Sequence, residues 1–479
     1  MAAVIIAAII VAAGAIQPNA HSHINDRQWP RTTAVASRRS HGPHKRAGSD
    51  AVPTDARRGT RSPHPRQPCP IVHNAGTKLL NASLFREIEK QRKRQGLRWG
   101  MMSVPSHLFC FSHLRWNFVY QRPQHLLSRA ARNLGVFYVE EPIFSQVDAG
   151  VKIQRDEACG VVVVTPVLRE GLSTDEITNA QHRVVDTLLA EVRPSQWVGW
   201  YYTPMALQFT RHLSPNLRVY DNMDELSAFA GAPQGILDLE RELMAKCDLM
   251  FVGGQSLYES KRKRHDNIHV FPSSVDTAHF KSARERRLDP DDQRAIPHPR
   301  IGFFGVIDER MDMDIVAGVA ALRPHWQLVM IGPTAKISPQ SLPRAENIHW
   351  LGCKQYQELP NYLSGWDVGT MPFALNEATR FISPTKTPEF LAAGVPVVST
   401  PITDVVNPYG AAGHVEIASS AEEFVAKIDL LLSRPKARWL SSIDAHLAEM
   451  SWDKTWARMM LHIASVGAES KSAREGQLV

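Results

Sequence analysis

Short apolar runs alternate with longer amphipathic segments from residue 107 onwards. Leu108-Phe109-Cys110-Phe111 predicts a buried strand, residues 124–131 predict a helix, and residues 136–139 predict a second strand. This order is a βαβ unit, which favours a parallel sheet. The alternation continues with predicted strands at 161–165, 198–204, 217–220, 249–252 and 269–276, and predicted helices at 174–191 and 236–246.

The same alternation restarts at residue 301. It predicts strands at 301–305, 327–331, 348–351, 367–371, 395–400 and 415–417, and helices at 312–322, 359–363 and 421–432. Two successive βα arrays, each about the size of a typical domain, predict an α/β protein built from two facing, Rossmann-like, doubly wound domains.

Composition places the boundaries between these units. We predict an N-terminal domain over residues 105–280 and a second domain over 300–450. Residues 281–299 are charged, contain proline and lack a hydrophobic period, which is typical of a linker. Residues 451–465, beginning at Ser451-Trp452, predict a final helix.

Residues 1–100 differ in character from the rest of the chain. Ala2 to Ile16 is an apolar run of 15 residues, shorter than the roughly 20 that span a bilayer, and it is either a signal or anchor segment or a dispensable extension. Residues 17–80 are rich in Arg, His, Pro, Ser and Gly, which predicts a disordered arm. Residues 81–98 predict a basic helix, either solvated or in peripheral contact with an anionic membrane.

The net charge of +7 comes from that arm. Residues 1–100 hold 17 Lys and Arg against 5 Asp and Glu, a balance of +12, which leaves −5 for the remainder. The folded part therefore gives no reason to expect a nucleic-acid partner. The sequence also contains no P-loop, no complete Gly-x-Gly-x-x-Gly, no His-Glu-x-x-His and no Cys-x-x-Cys. The motifs that usually indicate an ATPase, a dehydrogenase or a zinc protease are therefore absent from the sequence.

The segment of residues 383–400 carries the clearest chemical signal. It predicts a loop, a two-turn helix with Thr387 as N-cap and Pro388 at the first helical position, and a strand after Gly394. The N-terminus of a helix attracts anions because its N–H groups are unpaired and its dipole is positive there. Lys386 stands just before that terminus and Glu389 lies in the first turn, so the segment predicts an anion site.

This segment resembles the donor-site segment of retaining nucleotide-sugar glycosyltransferases with the GT-B fold, close to family 4. The Glu-containing helix followed by Gly394-Val-Pro-Val-Val398 carries the likeness. The run Phe381-Ile-Ser-Pro-Thr-Lys-Thr-Pro-Glu389 resembles a bacterial subgroup linked to surface polysaccharides. The resemblance covers about residues 105–465 and implies that the final helix crosses back onto the first domain.

Transfer from a nucleotide sugar requires that the diphosphate leaving group be stabilised. The donor-site residues that the resemblance and the strand-end loops suggest are Arg310, Arg380, Lys386, Thr387 and Glu389, with Glu389 bonding the ribose hydroxyls. The alternative is that the cations are surface residues and that Glu389 is favoured by the helix dipole alone.

Two positions depart from the family pattern. Family 4 enzymes usually carry two Glu with seven residues between them. The first of these positions holds Phe381 here, and the position of the family's Arg directly after the loop glycine holds Val306. Glu377 is a candidate substitute for the missing carboxylate. Asp224, at a strand end of the first domain, is a candidate to bind or deprotonate an acceptor hydroxyl, although it is equally typical of an exposed loop acid.

Four further residues of the first domain are candidates for the acceptor or the cleft: His113, Arg115, Gln121 and Tyr202. The alternatives are that the neighbouring Arg122 and Gln124 only cap and pack a helix, and that the aromatic run at 200–202 belongs to the core.

These observations predict a retaining glycosyltransferase that moves a sugar from a nucleotide-sugar donor to a surface-glycan or lipid-linked acceptor. The resemblance implies no bound metal, and the nucleotide sugar is a substrate rather than a cofactor. Because nucleotide sugars are cytoplasmic, we expect a cytoplasmic protein that can touch the inner membrane face. The alternatives are a nucleotide-sugar epimerase on the same fold and a catalytically inactive sugar-nucleotide-binding homologue.

Overall fold

The computed structural model describes residues 105–146, 150–285 and 289–476. Within these ranges the chain forms two parallel-sheet α/β domains, as the sequence predicts. The predictions for residues 1–100, including the disordered arm and the basic helix, lie outside the described residues. No helix among the described residues combines the length and the apolarity needed to cross a bilayer.

The described part of the first domain contains nine strands in the order β3-β5-β2-β1-β6-β7-β8-β9, with β4 antiparallel to β5 at one edge. The remaining pairs are parallel. The strands are β1 (His107–Phe111), β2 (Gly135–Val139), β3 (Ile143–Ser145), β4 (Gly150–Arg155), β5 (Val162–Arg169), β6 (Trp197–Tyr201), β7 (Leu217–Asn222), β8 (Leu249–Val252) and β9 (Ile268–Val270).

Helices connect these strands and bury their apolar faces on the sheet. They are α1 (Arg122–Ala130), α2 (Thr174–Val192), α3 (Leu207–Thr210), α4 (Ile236–Lys246) and α5 (Gln255–Lys261). The helix predicted at 236–246 and the strand predicted at 249–252 agree with the structure to the residue. The short helix α5 and the edge strands β3 and β4 were not predicted.

The second sheet has the order β12-β11-β10-β13-β14-β15, and all of its described pairs are parallel. Its strands are β10 (Arg300–Phe304), β11 (Gln327–Ile331), β12 (Ile348–Gly352), β13 (Val368–Met371), β14 (Val397–Ser399) and β15 (Val415–Ile417). Its helices are α8 (Met313–Leu322), α9 (Leu359–Leu363), α10 (Lys386–Ala393), α11 (Thr403–Val405), α12 (Ala421–Ser433) and α13 (Lys436–Leu447).

The segment between the two sheets is partly helical, with α6 (Thr277–Lys281) and α7 (Asp291–Arg294). Phe280 packs into the core of the second domain, and Arg284 donates to the carbonyl of Ala392 at 2.8 Å. The segment that follows the last strand of the first sheet therefore packs against the second domain.

The last helix, α14 (Trp452–Gly476), packs against the first sheet rather than the second. Trp452, Trp456, Met459 and Ile463 are buried in the same apolar cluster as the strand residues of the first domain. The Trp452 ring stacks on His125 of α1 with a centroid separation of 4.5 Å. The chain thus crosses between the domains twice.

A buried ion pair fixes α1 to the sheet of the first domain. The Arg122 guanidinium donates to both carboxylate oxygens of Asp221, at 2.8 and 3.0 Å, and to the carbonyl of Phe271. Both charged side chains are at most 2% exposed. Arg122 and Gln124 thus serve packing and capping, which is the simpler of their two sequence interpretations.

Because removing one partner leaves an uncompensated buried charge, we expect Asp221→Asn to lower the free energy of unfolding by about 3 kcal/mol. Chemical denaturation of the full chain measures this. Glu259→Gln is the matched control, since it breaks an exposed pair with Arg262 (2.6 Å) and should cost less than about 1 kcal/mol. Equal costs for the two variants would contradict the structural role.

Candidate active site

The candidate active site lies where the strand-end loops of the two domains face each other. Gly305 directly follows β10 with a φ of +135°, a conformation open to glycine. A Cβ at this position would lie 2.0 Å from Cε and 2.5 Å from Nζ of Lys386. The lysine therefore occupies the space that the missing side chain leaves, with its ammonium 5.7 Å from the Phe303 ring centre.

Lys386 and Glu389 form an electrostatically linked pair at the start of α10. Burial, and next the Arg310 charge, lower the pKa of Lys386 to about 8. Burial raises the pKa of Glu389 to about 8, against the opposing effect of Lys386. The charges of Lys386 and Arg310 lie close together and are opposed by Glu389, Asp308 and Asp224, and such a cluster of shifted groups is a candidate anion site.

Arg310 lies in the same loop as Gly305 and is held by Asp308. Its guanidinium donates to both carboxylate oxygens, with Nη2 2.6 Å from Oδ2 and Nε 3.0 Å from Oδ1. The guanidinium also lies over the ring of Phe229, a first-domain residue, at 5.5 Å from its centre. Arg310 is thus fixed at the boundary between the domains.

Lys336, in the loop after β11, is the third cation of the site. Its ammonium lies 4.7 Å from the centre of the Phe229 ring and 3.8 Å from Glu309. Lys336 has a φ of +61°, a conformation that is unfavourable for a non-glycine residue and that recurs at functional sites. The amide of Ala230 donates to Glu309 at 3.2 Å, which adds a direct bond between the domains.

Asp224 is the first-domain acid that faces these cations. Burial raises its pKa above the ordinary value, and three positive charges act in the opposite direction: Arg310, Lys336 and Lys386. The end of β7 holds the Asp224 loop, because the Asn222 side-chain amide donates to the Asp224 carbonyl at 2.9 Å. Lys261, which is 1% exposed, pairs with Glu225 and with Glu240 at 2.8 Å each.

His113 also faces the second domain. Burial, and next the Lys336 charge, lower the pKa of its imidazole to about 4, so the ring is neutral at physiological pH. A neutral imidazole can donate or accept a hydrogen bond, which suits contact with a hydroxyl group. His113 therefore lies on the first-domain side of the same cleft as Lys336.

The other three first-domain candidates have structural partners. Arg115 donates to the carbonyls of Glu141 and Pro142 and to the Glu140 carboxylate. Gln121 is the N-cap of α1 and forms a capping box with Gln124. Tyr202 is 3% exposed and packs in the first-domain core. These contacts favour positioning over direct contact with a substrate.

The loop that Arg115 holds forms one wall of a concave surface that we call the first-domain pocket. It lies at the carboxyl ends of β1, β2 and β6, between α2 and α3. Its polar lining comes from Ser112, Glu140, Glu141, Gln181, Thr203 and Gln208. Burial raises the pKa of Glu141 to about 8. The rest of the lining is apolar, with residues such as Phe144, Ile177 and Phe209, and a mostly apolar pocket with a few polar groups is typical of a small-molecule site.

Helix α10 begins two residues earlier than predicted, at Lys386, with Thr385 as its N-cap. The predicted N-cap role of Thr387 is therefore wrong. Its N–H donates to the Pro384 carbonyl at 3.2 Å, and its fully buried hydroxyl lies 3.7 Å from Met371 Sδ. The sequence pattern predicts that the Thr387 N–H is free to bind an anion. In the structure a short turn pairs this N–H with the Pro384 carbonyl instead.

Glu377 and Arg380 form an exposed pair, 3.5 Å apart, with side chains 73% and 63% exposed. The adjacent Phe381 packs against the apolar cluster of the first domain. The position at which the family carries its first Glu thus holds an aromatic ring that contacts the opposite domain. The structure does not bring Glu377 into the cluster of cations around Lys386.

Three residues of the site were not predicted from the sequence: Asp308, Lys336 and Phe229. A signal for Lys336 existed, because Gly332-Pro333 marks the end of β11 and the lysine follows in the same kind of strand-end loop as Arg310. Phe229 had no such signal, since its contact depends on how the two domains face each other.

Comparison with known proteins defines the class. Residues 298–434 match the sequence model of the family described as Glycosyl transferases group 1. A Bacillus subtilis (strain 168) protein, described as a teichuronic acid biosynthesis glycosyltransferase, TuaH, is 26% identical over 282 residues, which cover 54% of this chain and 68% of that protein.

Solved structures share the fold at low identity. The α,α-trehalose 6-phosphate synthase of Burkholderia multivorans superposes with a TM-score of 0.56 at 14% identity, covering 78% of this chain and 99% of that one. Anabaena HepE, solved with UDP and glucose, gives 0.56 at 14% identity, covering 76% and 100%. Sucrose-phosphate synthase from Thermosynechococcus elongatus gives 0.54 at 13% identity, covering 76% and 100%.

The two parallel-sheet domains share the GT-B fold of these structures. The family match over residues 298–434, the relative and the fold together support a nucleotide-sugar-dependent glycosyltransferase. The epimerase and the inactive homologue are not favoured.

The close approach of Lys386 to Gly305 gives a direct test of the site geometry. Gly305→Ala should lower the free energy of unfolding by about 2–3 kcal/mol, because it adds backbone strain at a φ of +135° and forces the end of the Lys386 side chain to move. Gly171→Ala is the matched control, since φ is +83° there but no atom lies within 4 Å of the added Cβ, and it should cost about 1 kcal/mol. Denaturant titration of both variants measures the costs; indistinguishable values would refute the close packing.

Proposed function

We propose that the enzyme transfers a sugar, with retention of anomeric configuration, from a nucleotide-sugar donor to a surface-glycan or lipid-linked acceptor. The observation that carries the proposal is the cluster of Lys386, Arg310 and Lys336 on the second-domain wall of the cleft. Each of these cations has a nearby acid, and together they face Asp224 of the first domain. A diphosphate is the ligand whose charge and size match such a cluster.

The donor diphosphate would lie against Lys386 and Arg310. As the bond from the sugar to the diphosphate breaks, negative charge grows on the leaving oxygen, and fixed cations in a partly buried site stabilise it without reorganising. Glu389, 7% exposed in the first turn of α10, would accept hydrogen bonds from the ribose hydroxyls, as its family counterparts do. This assignment requires no resident cofactor or metal.

The acceptor would approach from the first domain. His113 and Asp224 face the cations across the cleft, and the first-domain pocket offers carboxylates, amides and hydroxyls to a sugar. A surface-glycan acceptor agrees with the description of the TuaH relative as a teichuronic acid biosynthesis enzyme. We propose that the reaction takes place in the cytoplasm at the inner membrane face, where nucleotide sugars and lipid-linked acceptors meet.

Turnover with and without acceptor tests the reaction class. We expect release of nucleoside diphosphate from a nucleotide sugar that accelerates when a lipid-linked or glycan acceptor is added. Proton NMR of the product would show the anomeric configuration of the donor. A donor whose sugar is altered without an acceptor would indicate epimerisation, and inversion in the product would contradict the retaining assignment.

Lys386→Ala should weaken binding of UDP by about 10- to 100-fold, since it removes a charge-assisted bond to the diphosphate. Calorimetric titration of the full chain measures the affinity. Lys427→Ala is the matched control, because that lysine belongs to the same domain but pairs with Glu416 on the surface (3.0 Å), and its loss should not change the affinity. Unchanged binding in the Lys386 variant would exclude this residue from the donor site.

Glu389→Ala should separate ribose recognition from diphosphate binding. We expect the affinity for UDP to fall about tenfold, while the affinity for inorganic pyrophosphate changes much less, because pyrophosphate has no ribose for Glu389 to contact. Paired titrations with the two ligands measure the ratio. A parallel loss for both ligands would show that Glu389 acts on the cation cluster instead of on the ribose.

A further inference from the structure

A second cluster of chemically active side chains lies outside the cleft, on the surface of the first domain. Among the described residues, one group of three His, Cys, Asp or Glu side chains has the spacing to hold a metal ion: His182, Asp186 and His212. One atom from each side chain lies within 4.8 Å of the other two. None of the three belongs to the candidate active site.

The helix geometry places these groups together. His182 and Asp186 are four residues apart on α2, so they share one face of the helix. His212 follows α3, which packs against α2. His182 Nε2 lies 2.9 Å from His212 Nδ1, and His212 Nε2 lies 2.6 Å from Asp186 Oδ1. The three side chains are therefore held in register by their own hydrogen bonds.

The donor set selects the kind of ion. Two imidazole nitrogens with one carboxylate oxygen suit Zn²⁺ and its neighbours in the first transition row, whereas Mg²⁺ and Ca²⁺ prefer oxygen ligands. Tetrahedral zinc with bonds of about 2.0–2.1 Å separates its ligand atoms by about 3.3 Å, so modest side-chain rotations would suffice here. The side chains are 38–47% exposed and thus accessible to an ion from solvent.

The arginine next to His212 is paired with an acid outside the cluster. Arg211, next to His212 in sequence, directs its guanidinium to Glu242, with Nη2 2.8 Å from Oε2. The Arg211 charge is therefore neutralised by Glu242 of α4. An ion at the cluster would meet one carboxylate and two imidazoles, which can bind it in their neutral form.

We propose that His182, Asp186 and His212 form a Zn²⁺-binding site that fastens α2 to the segment following α3. Both elements line the first-domain pocket, through Thr174, Ile177, Thr178 and Gln181 on α2 and through Gln208 and Phe209 on α3. The ion would hold two walls of that pocket at a fixed separation. The site does not depend on the proposed transfer reaction, since it contains no donor-site residue.

Zinc titration of the chelator-treated full chain tests the proposal. Residues 21–73 contain six histidines, so the site must be identified by difference between variants. We expect wild-type protein to bind one Zn²⁺ more tightly than His212→Ala and Asp186→Asn do, by more than about 100-fold. His325→Ala, at an exposed histidine outside the cluster, is the matched control and should bind as the wild type does.

Two further measurements accompany the titration. Co²⁺ used in place of Zn²⁺ should give a visible absorption band in wild type that is absent from both cluster variants. Zn²⁺ should raise the thermal midpoint of the wild type by several degrees more than that of the variants, with each protein compared with its own metal-free midpoint. Equal zinc uptake and equal thermal shifts in all four proteins would overturn the proposal, and the cluster would then be a hydrogen-bonded surface group only.

Discussion

The balance of charge in the cleft is the constraint on which the rest of the site depends. Lys386 is half-buried against Gly305, beside the Arg310 guanidinium, and burial lowers its pKa. Two like charges this close are unfavourable unless acids compensate them. Asp308 binds Arg310, and Asp224 and Glu389 oppose the lysine. The nucleoside diphosphate proposed as ligand would add its negative charge beside Lys386 and Arg310, where it would compete with these acids for the cations.

The two-domain arrangement follows from the need to hold these groups at one place. The cations come from loops at the carboxyl ends of β10 and β11 and from the start of α10, where ligands bind in open parallel sheets. Asp224 comes from the opposite sheet and is held by the network of Asn222, Glu240 and Lys261. Phe229 and Phe381 contact residues of the opposite domain, and the Asp404 carboxylate accepts from the Ser256 amide at 3.1 Å.

Much of this architecture could be predicted from the sequence, because buried parallel strands are short apolar runs and their helices have a clear period. The helix at 236–246 and the strand at 327–331 are examples. The missed elements lack that signal. Strand β4 is a half-buried edge strand with polar residues such as Lys152 and Gln154, and α5 has only seven residues. Their formation depends on tertiary contacts that a local pattern does not contain.

The candidate site was predictable to a similar extent. Arg310 follows a predicted strand end, and Lys386 and Glu389 lie at a predicted helix start. The structure places these three side chains in one cluster. Thr387 was misassigned because the turn at Pro384 pairs its N–H with a carbonyl, which propensity alone does not reveal. Lys336 and Phe229 depend on the approach of two loops that are about a hundred residues apart in the chain.

A crystal structure of the full chain with UDP tests the central claim most directly. We expect the diphosphate oxygens to lie within hydrogen-bonding distance of the Lys386 ammonium and the Arg310 guanidinium, with the ribose beside Glu389. A diphosphate bound elsewhere, with Lys386 still packed against Gly305 and making no contact with it, would contradict the account.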